Sequence, residues 1–303
     1  MHTSFAPALP SIEPLTRPAA TAARADVGAV APWREITVDG VRLAYDDEGA
    51  GPLIVCLHAI GHGSRDFARL RAHLRSRYHV VALDWPGRGC SGEDPIPASA
   101  TRYTALLERF LAAFGPQPVI LVGNSIGGTV AVRFAADHPD RVRALVLANP
   151  GRLDRTDFLT RIFTKLMSRF FAAGARGARW YPRAFAAYYR MVLPSPAAAD
   201  QRARIIAAAR EVAPVLAQAW RSFGMPGAEV GPLAPKVTCP VLFTWAKRDR
   251  INQLSRARQA IEQFPNARLE LFDAGHCPFV EMPDEFETSL DRFLNERLQV
   301  RSQ

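Results

Sequence analysis

The stretch Val119-Ile120-Leu121-Val122-Gly123-Asn124-Ser125-Ile126-Gly127-Gly128-Thr129-Val130-Ala131 places one serine, fenced by glycines, between an apolar strand pattern and a helix-forming run. A strand that reverses at once into a helix holds the serine in a strained backbone conformation, which is tolerable only where nothing bulky crowds the turn. Gly123 and Gly127 supply that room, and Gly128 adds more. The consequence is chemical: the Ser125 hydroxyl projects from the end of the strand, and the first free N–H of the following helix points at the same space. A glycine-x-serine-x-glycine match also arises by chance, so it carries weight only with partners.

Partners occur in a fixed order along the chain. Leu53-Ile54-Val55-Cys56-Leu57-His58 reads as a buried strand opening into Ala59-Ile60-Gly61-His62-Gly63. Val80-Val81-Ala82-Leu83 is a strand that runs into Asp84-Trp85-Pro86-Gly87-Arg88-Gly89-Cys90-Ser91. Pro240 to Ala246 is a third strand, followed by Lys247-Arg248-Asp249. Leu269 to Phe272 is a fourth, leading through Asp273-Ala274-Gly275 to His276 and on to Glu281-Met282-Pro283. Together these segments resemble the α/β-hydrolase family, serine-nucleophile branch, from about Ile36 to Leu298.

The resemblance implies a mostly parallel eight-stranded sheet with helices on both faces and an inserted helical lid. It implies a Ser125, Asp249, His276 triad in the chain order this fold requires. It also implies an oxyanion hole from the backbone N–H groups of Ile60 and Ile126, and a structural role for the Asp84 turn. Asp273 is the rival acid, and Asp249 is preferred because it follows a strand at the family's acid position. The three residue types are needed together. A serine hydroxyl is a weak nucleophile until an imidazole takes its proton, and the imidazole needs a carboxylate to fix its tautomer and stabilise its charge.

The rest of the chain fits that frame. Ile36-Thr37-Val38 and Val41 to Tyr45 alternate around Asp39-Gly40, a tight-hairpin signal. Helical spacing follows at Phe67, Leu70 and Leu74, at Tyr103 to Phe114, and at Thr129 to Ala136 before the strand Ala144 to Ala148. Strand and helix alternate, which implies a parallel sheet covered on both faces with functional residues at the carboxyl ends of its strands. Between Pro150 and Pro235 the rhythm turns helical and aromatic, with Phe158, Phe163, Phe170, Phe171, Trp180, Tyr181, Phe185, Tyr188, Tyr189, Trp220 and Phe223 shared between the contact with the main domain and a substrate pocket. The last helices are expected over Leu254 to Phe264 and Glu285 to Leu298. The division that results is a loose N-terminal tail over 1–33, a catalytic core over 34–149 and 236–303, and a lid insertion over 150–235.

Composition excludes more than it identifies. No run approaches the roughly 20 apolar residues of a membrane helix, so no membrane span is expected. Cys56, Cys90, Cys239 and Cys277 have no disulfide or zinc spacing, which fits a reduced cytoplasm. The net charge of +9 is concentrated: residues 151–231 hold 13 basic and 5 acidic side chains. A basic solvated face accounts for this more simply than nucleic acid, which is not expected as a partner, and attraction of an anionic substrate is the functional alternative. His58 and His62 form a pair near the oxyanion loop but are a weak metal signal, and no metal or cofactor is required.

The expected activity is hydrolysis of an ester-like bond (carboxylic ester, lactone or thioester) through an acyl-enzyme, on a small apolar or aromatic acyl substrate. The elbow Gly123-Asn124-Ser125-Ile126-Gly127-Gly128 also resembles that of hydrolases cleaving carbon–carbon bonds in aromatic ring-fission products, although Cys277 stands where those enzymes commonly have tryptophan. A non-catalytic receptor on the same fold is the alternative of another class.

Overall fold

In a computed structural model, residues 33–298 are described. The tail expected over 1–33 lies outside them except for Trp33, which opens the first strand. The hairpin is formed as its turn residues demand: β1 (Trp33–Val38) and β2 (Val41–Glu48) are antiparallel, with Asp39 and Gly40 both at positive φ. The chain then builds β3 (Leu53–Leu57), α1 (Ala68–Leu74), β4 (His79–Leu83), α2 (Ala100–Ala112), β5 (Val119–Asn124), α3 (Ile126–Asp137) and β6 (Val142–Ala148). Four helices follow with no strand among them: α4 (Phe158–Ala175), α5 (Tyr181–Val192), α6 (Ala199–Ala207) and α7 (Ala209–Phe223). The sheet resumes with β7 (Val241–Ala246), α8 (Leu254–Ile261), β8 (Ala267–Phe272), the short α9 (Pro278–Glu281) and α10 (Pro283–Leu298).

The eight strands form one sheet in the order β1-β2-β4-β3-β5-β6-β7-β8. Only β2 pairs antiparallel with its neighbours, and every pair from β4 to β8 is parallel. β5 and β7 are buried along their whole length, as strands covered by helices on both faces must be. The apolar stripe of α2, with Leu106, Leu107 and Phe110 fully buried, covers part of that sheet. Each such side chain contributes about 1.5–3 kcal/mol relative to exposure.

Register sets the site. Leu57 pairs with Gly123, Gly123 with Leu147, Ala148 with Thr244 and Ala246 with Phe272, so the carboxyl ends of β3, β5, β6, β7 and β8 share one rim. The loops bearing Ile60, Ser125, Asp249 and His276 leave from that rim.

Candidate active site

Ser125 has φ 53° and ψ −116°, a conformation few non-glycine residues adopt, and it sits directly between β5 and α3. A Cβ on Gly123 would lie 2.6 Å from the Gly127 carbonyl oxygen, and one on Gly127 would run into that of Leu57. The turn therefore closes only with glycine on both sides. Ile126 is the first residue of α3, directly after Ser125, so its N–H has no partner within the helix. Ile60 stands on the loop after β3, against the same cavity.

His276 and Asp249 meet across the ends of β8 and β7, with Nδ1 of the imidazole 2.7 Å from Asp249 Oδ2. Both are buried. The other Asp249 oxygen accepts the backbone N–H groups of Ile251 at 2.7 Å and Asn252 at 3.1 Å, which fixes the carboxylate plane. Burial pulls the His276 imidazole down, but the Asp249 charge and hydrogen bond, with Glu281 adding, outweigh it and hold the group above the ordinary histidine value. With Nδ1 committed to Asp249, Nε2 is the nitrogen left for the cavity, which both Ser125 and His276 line. Asp273 is elsewhere: it is exposed and paired with Arg248 at 3.1 Å.

Several residues that support this arrangement are not evident from motif order. Asn149, at φ 45° after β6, donates its amide to Asp249 Oδ2 and accepts the Ala246 N–H at 2.9 Å, tying β6 to the acid loop. Asn124 donates to the carbonyls of Ala148 at 2.9 Å and His276 at 3.1 Å. Glu281 is buried beneath the histidine loop. Its Oε1 accepts from the N–H of Gly275 at 2.9 Å and of Cys277 at 3.1 Å, and its Oε2 from Ser195 at 3.3 Å. The spacing from His276 to Glu281 thus has a physical basis, since the carboxylate holds the backbone on both sides of the imidazole. Cys277 is fully buried, its thiol pushed well up first by burial, and it rests on Asn124 Oδ1 at 3.2 Å, as a packing residue would.

On the opposite side, His58 Nε2 accepts the Trp85 N–H at 2.9 Å while Nδ1 donates to the Ala59 carbonyl at 2.7 Å. Burial, the largest influence, drives this imidazole down to about 3, so it stays neutral and serves the loop. Asp84 Oδ1 accepts the Ser64 N–H at 2.6 Å and pins the turn after β4 to that loop. His62 has a carboxylate beside it: Nδ1 lies 2.8 Å from Asp66 Oδ2 and 3.3 Å from Gln201 Nε2. Burial raises the Asp66 carboxyl, yet His62, Gln201 and His58 together carry it below the usual 3.8.

The cavity holds about 280 Å³. Its wall is largely apolar, from Leu159, Phe163, Leu216 and Trp220, with Tyr188 and Tyr189 kept neutral by burial, which pushes both phenols up. His62 also lines it, and Arg250 stands at its edge with no ion pair among the described residues. Among those residues no helix is long and apolar enough to cross a membrane.

A sequence profile of the Alpha/beta hydrolase family matches residues 54–288. A pimeloyl-[acyl-carrier protein] methyl ester esterase from Chromobacterium violaceum is 30% identical over 84% of this chain and 98% of its own length. A 2-hydroxy-6-oxononadienedioate/2-hydroxy-6-oxononatrienedioate hydrolase from Dechloromonas aromatica is 27% identical over 84% of this chain and 91% of its own. Among solved structures, a bacterial membrane phospholipase A superposes with a TM-score of 0.73 at 27% identity, covering 90% of this chain and 87% of that one.

Proposed function

Because the chain belongs to the alpha/beta hydrolase family, we propose that it is a serine hydrolase that cleaves an ester-like bond through an acyl-enzyme. Hydrolysis is common to the named relatives. The observation that carries the finer reading is the His276–Asp249 contact of 2.7 Å, opening on the cavity that the strained Ser125 also lines.

In this mechanism Nε2 of His276 takes the Ser125 proton as the hydroxyl oxygen attacks the acyl carbon. The tetrahedral oxyanion accepts from the N–H groups of Ile60 and Ile126, each worth ~10²–10³ in rate. His276 then gives the proton to the leaving alcohol, and the ester bond breaks. Water, deprotonated by the same imidazole, releases the acid and restores Ser125. Asp249 remains ionised throughout, orienting the ring and balancing the imidazolium charge.

The helices over 150–235 act as a lid that supplies most of the apolar wall. An acyl chain or aromatic ester suits that wall, and Arg250 suits a substrate carrying an anionic group at its outer end. The ring-fission hydrolase among the relatives favours one second reading, carbon–carbon cleavage by the same three residues. A side-by-side panel of aryl esters, lactones, thioesters and ring-fission dienones decides between them. The ester reading expects the largest kcat/KM on an ester. A dienone exceeding every ester tenfold would move the reaction to carbon–carbon bonds, and no turnover by well-folded protein would leave the receptor reading.

A further inference from the structure

The outward face of α4 is largely unpartnered in the fold, apart from the edge where the Phe163 ring meets Trp220. Its inward ridge, Thr160, Thr164, Phe171 and Gly174, is buried, and the helix packs chiefly on α7. Phe158, Leu159, Ile162, Phe163 and Leu166 fall on the remaining surface at i, i+1, i+4, i+5 and i+8, which stacks them along one side of two turns. Their exposures are 74, 67, 41, 42 and 56%. Single exposed apolar residues need no explanation, but five on one helical face form a patch that marks a contact.

Charge identifies the kind of contact. Arg161, Lys165 and Arg169, at i, i+4 and i+8, run as a row along the flank of the apolar residues. All three are exposed, none has an ion pair among the described residues, and α4 contains no acidic residue. Residues 151–231 as a whole carry 13 basic against 5 acidic side chains. A second copy of the chain on this face would bring the same cations together. A surface with an apolar interior and anionic headgroups satisfies both features at once, and an amphipathic helix lying in the plane of that surface is the geometry they require.

We infer that the outward face of α4 docks on an anionic lipid surface. Leu159 and Phe163 belong both to this face and to the cavity wall, so the cavity opens where the helix would meet the lipid. An amphiphilic ester could then pass from the surface toward Ser125 without its acyl chain crossing water. This delivery step rests on the hydrolase reading above, whereas the docking itself does not.

The test is flotation of the full chain with vesicles of phosphatidylcholine alone or mixed equally with phosphatidylglycerol. The expected result is binding to the mixed vesicles that weakens as salt is added. Ile162→Glu with Leu166→Glu lowers that affinity at least tenfold, since each side chain loses a favourable burial. Lys165→Ala and Arg169→Ala each lower it about fivefold, the equivalent of ~1 kcal/mol per cation. These four residues lie outside the cavity wall, so hydrolysis of a short soluble ester is unchanged in every variant. Absence of binding to mixed vesicles, or variants that bind like the parent, would overturn the inference. So would a dimer abolished by Ile162→Glu, which assigns the face to a second copy, or binding that appears only when residues 1–32 are removed, which assigns it to that segment. Vesicle binding without ester hydrolysis would count against the catalytic reading alone.

Discussion

Glu281→Gln tests whether a buried carboxylate holds the histidine loop. The native oxygens accept three backbone N–H groups, from Gly275, Cys277 and Ser195. In the amide, one carbonyl oxygen can keep the bonds to Gly275 and Cys277 but loses the charge that strengthened them, a change of ~1 kcal/mol for each. The new NH₂ meets the Ser195 N–H donor to donor, leaving a buried group unsatisfied at ~1–3 kcal/mol. The sum is about 3–5 kcal/mol, and in a protein of this size each kcal/mol moves Tm by about 2 °C. Urea unfolding at neutral pH followed by tryptophan fluorescence, with a thermal scan, should therefore show a Tm about 6–10 °C lower. The pH profile gives a second readout. The Glu281 charge is one of the influences holding the His276 imidazole up, so removing it lets that pKa fall. The acid limb of kcat/KM should shift to lower pH, while kcat at the plateau falls far less than on loss of Asp249. A Tm within about 2 °C of the parent together with an unmoved limb would refute the reasoning, because no role for the carboxylate at the histidine loop would remain.

Asp249→Asn should reduce kcat by ~10⁴, since the amide presents a donor where His276 needs an acceptor and favours the wrong tautomer. Asp273→Asn should leave kcat within about twofold, in line with the small worth of exposed ion pairs, and the reverse pattern in stopped-flow turnover would transfer the role. Asp66→Asn probes the second His–Asp pair. The folded Asp66 carboxyl lies below its usual value, so its contribution to stability is present above the unfolded value and lost as pH falls through the folded one. The stability difference between parent and variant should be full at neutral pH and shrink as pH falls through the lowered folded value, and a gap that does not shrink in acid would rule out ionised Asp66 as its source.

Much of this arrangement is legible because the residues proposed to perform chemistry sit at strand ends, where local patterns are strong. Ser125 is announced by glycines that its turn cannot do without, Asp249 follows a short buried strand, and His276 follows a short half-buried one. Boundaries were less legible. The periodic pattern locates α2 from Tyr103, but the helix begins at Ala100 because the Ser99 hydroxyl caps it by accepting the Arg102 N–H. The pattern likewise starts α3 at Thr129, whereas the elbow launches the helix immediately at Ile126. The supporting residues were hidden for a different reason. Asn149 meets Asp249 100 positions away, and Gln201 meets His62 across 139, so nothing in either neighbourhood signals the partner. Asp66 was closer to hand. Its spacing of four residues from His62 implies contact only if the intervening turn is helical, and that turn is the short 3₁₀ segment at Ser64–Phe67.

Covalent capture at the nucleophile is the most direct measurement. The full chain is treated with a fluorophosphonate, digested and sequenced by mass spectrometry, with Ser125→Ala alongside. The account predicts one modified peptide, carrying the adduct on Ser125, and loss of both labelling and ester hydrolysis in the variant. Label on another residue, or hydrolysis undiminished in Ser125→Ala, would contradict it.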